Sequence, residues 1–217
     1  MLGYSKIYFV CRGGIHVIKR MLQRMFFLYY KIRMNYHQKM LKQKCYCDKN
    51  TKFFLTASVN NLSRDIKRIK IGSGCNIRGE LFIYPYQGNI NIGNDCYVGE
   101  GTRIWAEKNI IIGNNVLISH NVDIHDSNDH PIEPKLRHKH YVDICNDGYS
   151  SNYNLRGKPI NIMDNVWIGF GACILKGVTI GDNSIVAAHA VVVKNVPENV
   201  VVAGNPARVV KKLEIEE

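Results

Sequence analysis

From Ile162 to Pro197 the chain repeats in hexads: IMDNVW, IGFGAC, ILKGVT, IGDNSI, VAAHAV and VVKNVP each open on Ile or Val. A small or branched residue (Val166, Ala172, Val178, Ser184, Ala190, Val196) follows four places after each opener. A short fixed period of this kind predicts a parallel β-helix, whose stacked coils bury one continuous core. Three hexads make a triangular coil of about eighteen residues, with the openers inside and Gly, Asn and Asp at the corners. One coil alone could not bury its face.

Traced backwards, the pattern begins at IGSGCN (71–76), passes a Pro-containing stretch (IYPYQG) and restarts at Ile92, Val98 and Ile104. Ile112 lies twenty residues after Ile92, two more than a regular coil, which predicts a corner bulge near Glu107 to Asn109. The hexads stop at Asp126 and resume near Ile160. The fold expected is therefore mainly β: a parallel β-helix over 71–197 with an inserted loop at 126–159 and a C-terminal tail at 198–217.

The first part of the chain has a different period. Residues 14–44 lack Pro, are rich in Met, Leu, Lys, Gln and Arg, and place Ile18, Leu22, Met25, Leu28, Tyr29 and Ile32 at helical intervals. One or two basic amphipathic helices are expected in a leader covering 1–50, followed by a charged, irregular link at 51–70. The net charge of +11 is concentrated there, since residues 1–47 carry ten Lys and Arg and no acid. Two readings of the leader stay open. It is a foot on an anionic membrane surface, with Phe26, Phe27, Tyr29 and Tyr30 at the interface, or it is a cap on the open end of the coils. No stretch reaches the roughly eighteen apolar residues that span a bilayer. Nothing matches a nucleic-acid-binding module.

Seven cysteines (11, 45, 47, 75, 96, 145, 173) show no disulfide framework, and the apolar pieces at the N-terminus are short and broken by charge, unlike a cleavable signal. A reducing, cytoplasmic setting is expected. Cys75 and Cys96 stand at the inward fifth place of their hexads. Cys45 and Cys47 have no second pair with which to hold a metal.

The interruption at 126–159 is where chemistry is expected, because a long excursion from a rigid repeat is usually functional or disordered. It holds His130, His138 and His140 among Tyr, Arg, Gly and Asn. The hexads, the block NVWIG (165–169) followed by ILKGVTIGDNSIV, the ending VPENVVVAGNPARVV (196–210), and DIHDSNDHPI (123–132) together resemble the hexapeptide-repeat acetyltransferases. Within them the likeness is to the maltose, galactoside and nodulation-factor enzymes and to the capsule or lipopolysaccharide O-acetyltransferases. The resemblance covers roughly residues 71–211. It implies a left-handed β-helix, a homotrimer and acetyl-coenzyme A as donor, with no metal.

The resemblance also implies site residues. His130 in NDHPI matches the general base, which would take the proton of a sugar hydroxyl as that oxygen attacks the thioester. Trp167 matches a position near the active site, and a backbone N–H beside Trp167 to Phe170 would face the oxyanion. Coenzyme A would run between subunits, along the backbones of Phe170 and Ala188, with Lys194, Arg208 and Lys211 near its phosphates. The sequence departs from the family at His189, where a small residue is common, and at Val193, where a hydroxyl is frequent. His120 and His125 are expected to line the acceptor cleft. Their spacing also resembles a zinc-binding pair of γ-class carbonic anhydrases, but no third histidine lies between His37 and His120. A non-catalytic scaffold would need neither the His130 loop nor the GNPARVV ending. The longer loop and the basic leader favour a capsular or lipopolysaccharide glycan as acceptor over a small soluble sugar.

Overall fold

The computed structural model describes residues 4–214, with side chains from residue 19 onward. Residues 1–3 and the side chains of the rest of the expected leader up to residue 18, Cys11 among them, lie outside what is described, as do the last three residues of the expected tail. Three parallel faces wind around one core, and the chain forms the left-handed β-helix that the hexads and the resemblance implied. Face A is built from Tyr46–Cys47, Ile69–Ile71, Ile90–Ile92, Ile110–Ile112, Ile160–Ile162 and Thr179–Ile180. Face B takes Lys52–Phe53, Asn76–Ile77, Tyr97–Val98, Leu117–Ile118, Trp167–Ile168, Ile185–Val186 and a terminal hairpin, Val200–Gly204 with Ala207–Lys212. Face C takes Ser58–Asn61, Glu80–Ile83, Arg103–Ala106, Asp123–His125, Cys173–Leu175 and Val191–Val192.

The hexad openers set the register. Ile92, Ile112, Ile162 and Ile180 stand opposite one another on successive coils, as do Val98, Ile118, Ile168 and Val186. All of these and all six fifth-place residues, from Val166 to Val196, are buried. Each large aliphatic removed from water contributes roughly 1.5–3 kcal/mol, so the column is the main source of stability. The corners need left-handed backbone. Asp95, Asn115, Asn165, Asn183 and Asn199 hold φ between 54° and 58° at the corner between faces A and B, a region where Asn and Asp are favoured among residues that carry a Cβ. Side-chain amides bridge this corner from coil to coil, Asn165 to Asn183 at 3.1 Å and Asn183 to Asn199 at 2.8 Å.

Both ends of the stack are covered. Helix α1 (Tyr4–Lys42) is one continuous helix, and its last turns close the first coil. Leu41 and Cys45 are buried in the core, and His37 Nε2 lies 3.0 Å from the Ala57 carbonyl oxygen. Between Lys19 and Ile32 the same helix is exposed throughout.

Three expectations are corrected. Residues 51–70 are not a link, because Lys52–Phe53 and Ser58–Asn61 pair with Asn76–Ile77 and Glu80–Ile83 as part of the first coil. Their hexads open on Cys47, Phe53 and Val59 and carry Thr51 and Ala57 at the fifth place, but Ile71 lies twelve residues after Val59, with a short 3-10 turn at Ile66–Arg68 between them, so both the residue types and the spacing departed from the repeat. The inserted segment is not all loop; it holds helix α2 (Pro134–Asp147). Its start is fixed by Pro134 and by the Glu133 carboxylate, which accepts from the N–H groups of Lys135 and Leu136 at 3.0 and 2.6 Å. The tail is the hairpin that extends face B, with Val200 and Val202 in the core.

Candidate active site

The inserted segment leaves the corner between faces C and A and folds back over the outer surface of face C. Phe82, Tyr84, Tyr153 and Leu155 form a second buried cluster there, with Tyr86, Trp105 and Tyr149 packed against it. Two backbone bonds close the segment on itself, Asn128 N–H to Leu155 at 3.0 Å and Lys158 N–H to Asp126 at 2.8 Å. Asp126 is fully buried at the exit point. Its carboxylate accepts from the N–H groups of Glu107, Lys108 and Asn109 at 2.7–2.8 Å, so it holds the corner where the two additional residues of that coil are placed. Burial pushes the Asp126 carboxyl up to about 6 in spite of these donors.

Three residues further on, Asp129 adopts φ 59° and turns the chain. Its carboxylate meets three partners: Nδ1 of His125 at 2.8 Å, the Tyr84 hydroxyl at 3.3 Å and the Ser127 hydroxyl at 3.3 Å. Burial alone would raise its pKa, but the bonds from His125, Ser127 and Tyr84 outweigh that and hold the carboxyl below its ordinary value. The turn carries His130, whose Nδ1 lies 3.1 Å from Nδ1 of the buried His140 on α2. His140 is pushed below the usual imidazole range by burial and by His130, with Asp143 opposing.

His130 and His125 line one cavity of about 550 Å³ over face C, with Arg103, Asp123, Arg137 and Cys173 among its walls. Arg103 is locked to Asp123 by two hydrogen bonds of 2.6 and 2.8 Å. The imidazole of His125 stacks on the Trp105 indole, centroids 4.9 Å apart at 15°. Its Nε2 is buried without a hydrogen-bond partner, whereas His130 also reaches a second cavity with Pro134, Arg137, His138 and Tyr141.

The other expected site residues lie elsewhere on the chain. His120 does not line the cavity; it stacks on Phe170 at the corner between faces B and C, rings 5.2 Å apart at 2°, and His189 meets the same Phe170 edge-on at 5.0 Å. His120 and His125 therefore do not converge, and among the described residues no group of three His, Cys, Asp or Glu gathers as a metal site. Ala188 sits at that corner one coil on, and the imidazole of His189, at φ 57°, occupies the space that a side chain on Gly171 would need. Trp167 is half exposed on the outside of face B, its Nε1 3.4 Å from the Ser119 hydroxyl. The N–H groups of Trp167 and Gly169 already donate to Ser184 and Val186, so neither is free for an oxyanion. Lys194 and Arg208 line a cavity of about 190 Å³ between the last coil and the hairpin, and Lys211 pairs with Val201 on that hairpin. Within one chain, then, the residues around His130 and those around Trp167 and Phe170 occupy different faces.

The signature described as "Bacterial transferase hexapeptide (six repeats)" matches residues 159–194. WcaF of Escherichia coli (strain K12), whose name ties it to colanic acid biosynthesis, is 30% identical over 147 residues, which are 66% of this chain and 69% of that protein. The chain belongs to the hexapeptide-repeat acetyltransferase family. The galactoside O-acetyltransferase of Escherichia coli (strain K12) is 38% identical over 130 residues, 60% of this chain and 57% of the relative. This match and the one to the Lactococcus lactis galactoside enzyme each span less than two thirds of the relative's length. Among solved structures, a hexapeptide-repeat acetyltransferase of Vibrio cholerae complexed with acetyl-coenzyme A superposes with a TM-score of 0.52 at 27% identity, covering 70% of this chain and 75% of that one.

Sequence reasoning did not single out Asp129, Asp126, Tyr84 or Arg103, and it gave His140 no role. The signal for Asp129 was its place in NDHPI, where a short polar residue before His-Pro suits a left-handed turn.

Proposed function

We propose that the protein is an acetyl-coenzyme A-dependent O-acetyltransferase whose acceptor is a sugar hydroxyl of a capsular or lipopolysaccharide glycan. The observation that carries the reading is His130, set on a turn pinned by Asp129 and facing a cavity of about 550 Å³. His125 has the carboxylate partner of a base, but its free nitrogen is closed off, while His130 opens to two cavities. The acceptor hydroxyl gives its proton to Nε2 of His130 as its oxygen bonds the thioester carbonyl carbon. When the tetrahedral adduct collapses, the C–S bond breaks and the imidazolium returns that proton to the leaving thiolate, giving free coenzyme A and the acetyl ester.

A homotrimer completes the site in this reading. Tyr97, Leu117, Trp167, Ile185 and Val201 stand in register as an apolar ladder on the outside of face B. Packing that ladder against a second copy would bring Trp167, Phe170 and Ala188 of one subunit toward the His130 cavity of the next. Lys194, Arg208 and Lys211 then supply positive charge for the coenzyme phosphates.

The glycan and the setting rest on α1. From Lys19 to Lys44 it and the residues after it carry eight Lys and Arg and no acid, and Met21, Leu22, Met25, Phe26 and Phe27 are exposed among them. No helix is long and apolar enough to cross a membrane among the described residues. Such a surface suits peripheral contact with anionic lipid on the cytoplasmic face, where a membrane-borne glycan would be within reach. The six described cysteines are all free, as a reducing compartment requires. A small soluble sugar is the alternative acceptor. Incubating the protein and acetyl-coenzyme A with polysaccharides and simple sugars, and following thiol release, tests the reading. Transfer to a glycan supports it, transfer to free sugars alone selects the alternative, and no transfer to any acceptor contradicts both.

A further inference from the structure

We propose that His140 is a positioning residue that fixes the tautomer of His130 and so leaves Nε2 of His130 free to act as the base. The inference rests on the reading of His130 given above. His140 comes from the second turn of α2, outside the hexads, and its ring is buried at a relative exposure of 1%. It is held in place by Tyr153, 4.4 Å away centroid to centroid. Tyr153 is itself fixed, because its hydroxyl bonds the Asp143 carboxylate and accepts from Lys139 Nζ at 3.3 Å. Packed in this way, the His140 ring directs Nδ1 at Nδ1 of His130 over 3.1 Å.

Only one proton fits between two ring nitrogens at that distance. Two Nδ1–H groups would collide, and two lone pairs would repel, so the neutral rings must be opposite tautomers. A base at Nε2 needs its lone pair there, which puts the His130 proton on Nδ1, donating to His140. His140 accepts at Nδ1 and keeps its own proton on Nε2. Once His130 has taken the acceptor's proton its Nδ1–H becomes a charged donor, and the bond to His140 strengthens as the reaction needs it.

The arrangement also sets when the pair works. A protonated His140 would present Nδ1–H to His130, force the proton of His130 onto Nε2 and remove the base. Burial and the neighbouring His130 favour the neutral form of His140, while Asp143, on the same helix, favours the charged one. The other groups in this neighbourhood are Tyr153 and Lys139 beyond His140, and Asp129, Arg137, His138 and Tyr141 beside His130.

The test uses the full chain with His140→Phe and His140→Asn, since an Asn side-chain oxygen can take the place of the Nδ1 acceptor and a phenyl ring cannot. His140→Phe should lower kcat roughly 10- to 100-fold, the usual effect of losing the partner that orients a functional histidine, with KM for acetyl-coenzyme A unchanged. His140→Asn should recover most of the rate and lose the acidic inflection that belongs to His140. Nitrogen NMR reads the tautomer without any turnover: His130 should carry its proton on Nδ1 in the parent and in His140→Asn, and lose that preference in His140→Phe. A parent with the proton on Nε2, a His140→Phe rate within twofold of the parent, or Phe and Asn variants equally impaired would overturn the proposal. If the parent shows the predicted tautomer but transfers no acetyl group, the functional reading fails and the pair stands.

Discussion

The Asp129 carboxylate lies 2.8 Å from Nδ1 of His125, the residue four places before it that ends the last strand of face C ahead of the excursion. This bond, with the Tyr84 hydroxyl on the same carboxylate, ties the turn that carries His130 to the rigid coil beneath it. Asp129→Ala should loosen the turn that carries His130, costing about 2 kcal/mol of stability for the loss of charged hydrogen bonds and lowering transfer more than it lowers coenzyme binding. The sign of the pH dependence follows from the shift. Because the folded carboxyl is held below its ordinary value, its contribution is present above the unfolded pKa near 4 and is lost as the pH falls through the folded one. Denaturant unfolding from pH 6 down to pH 2 should therefore show a steeper acid loss in the parent than in Asp129→Ala. Parallel curves would contradict the assignment.

Asp126 titrates in the opposite direction. Its folded pKa of about 6 stands above the unfolded value, so the folded chain binds the extra proton and this group's contribution falls as the pH rises from about 4 to 6. Asp126→Asn should gain on the parent over that window by on the order of 2 kcal/mol. Asp126→Ala should be destabilised at every pH by about 3 kcal/mol, because three N–H groups, that of the buried Glu107 among them, lose their acceptor. Chemical denaturation of the three proteins between pH 4 and pH 7 reads both effects. A difference between parent and Asn variant that does not vary with pH would remove the account of this corner.

Helix α1 has two parts, and truncation separates them. Removing residues 1–36 should abolish binding to anionic vesicles and leave the melting temperature near that of the parent. Removing residues 1–44 should also take away Leu41 and the His37 contact, uncover the first coil and lower the melting temperature by several degrees. Vesicle flotation and calorimetry on the two truncations decide. Unchanged flotation after the shorter deletion would place any membrane contact elsewhere.

Leu117 stands in the apolar ladder on face B, between Tyr97 and Trp167. Leu117→Glu puts a carboxylate into the proposed contact and should turn a trimer into folded monomers that no longer transfer acetyl groups. Sedimentation velocity checks this. A folded monomer with the parent rate would show that the site is complete in one chain.

The coils were legible because their inward positions are read by spacing alone: Ile92, Val98 and Ile104, or Ile162, Ile168 and Ile174, point inward as the hexads require. The bulge at 107–109 was legible for the same reason, as a count of two residues too many, although its holder Asp126 was not, since nothing local links a carboxylate to a corner seventeen to nineteen residues earlier. The first coil was missed because Cys47 and Phe53 open hexads that Ile and Val usually open, and because Ile71 lies twelve residues after Val59 instead of six. Helix α2 was missed because only His140 on it is buried and it shows no apolar stripe. In the site, a motif pointed to His130, but its meeting with His140 depends on a helix folding back over ten residues, which no spacing rule announces. His120 and His125 looked like a pair in the sequence; the coil corner between them sends one to Phe170 and the other to Asp129.

The central claim is that His130 is the general base. Its most direct measurement is the rate of thiol release from acetyl-coenzyme A, with the acceptor found for the parent, by a His130→Ala variant shown by circular dichroism to be folded. The account predicts that coenzyme binding is nearly unchanged and that the rate falls by roughly two to four orders of magnitude. A folded His130→Ala protein running near the parent rate would contradict it.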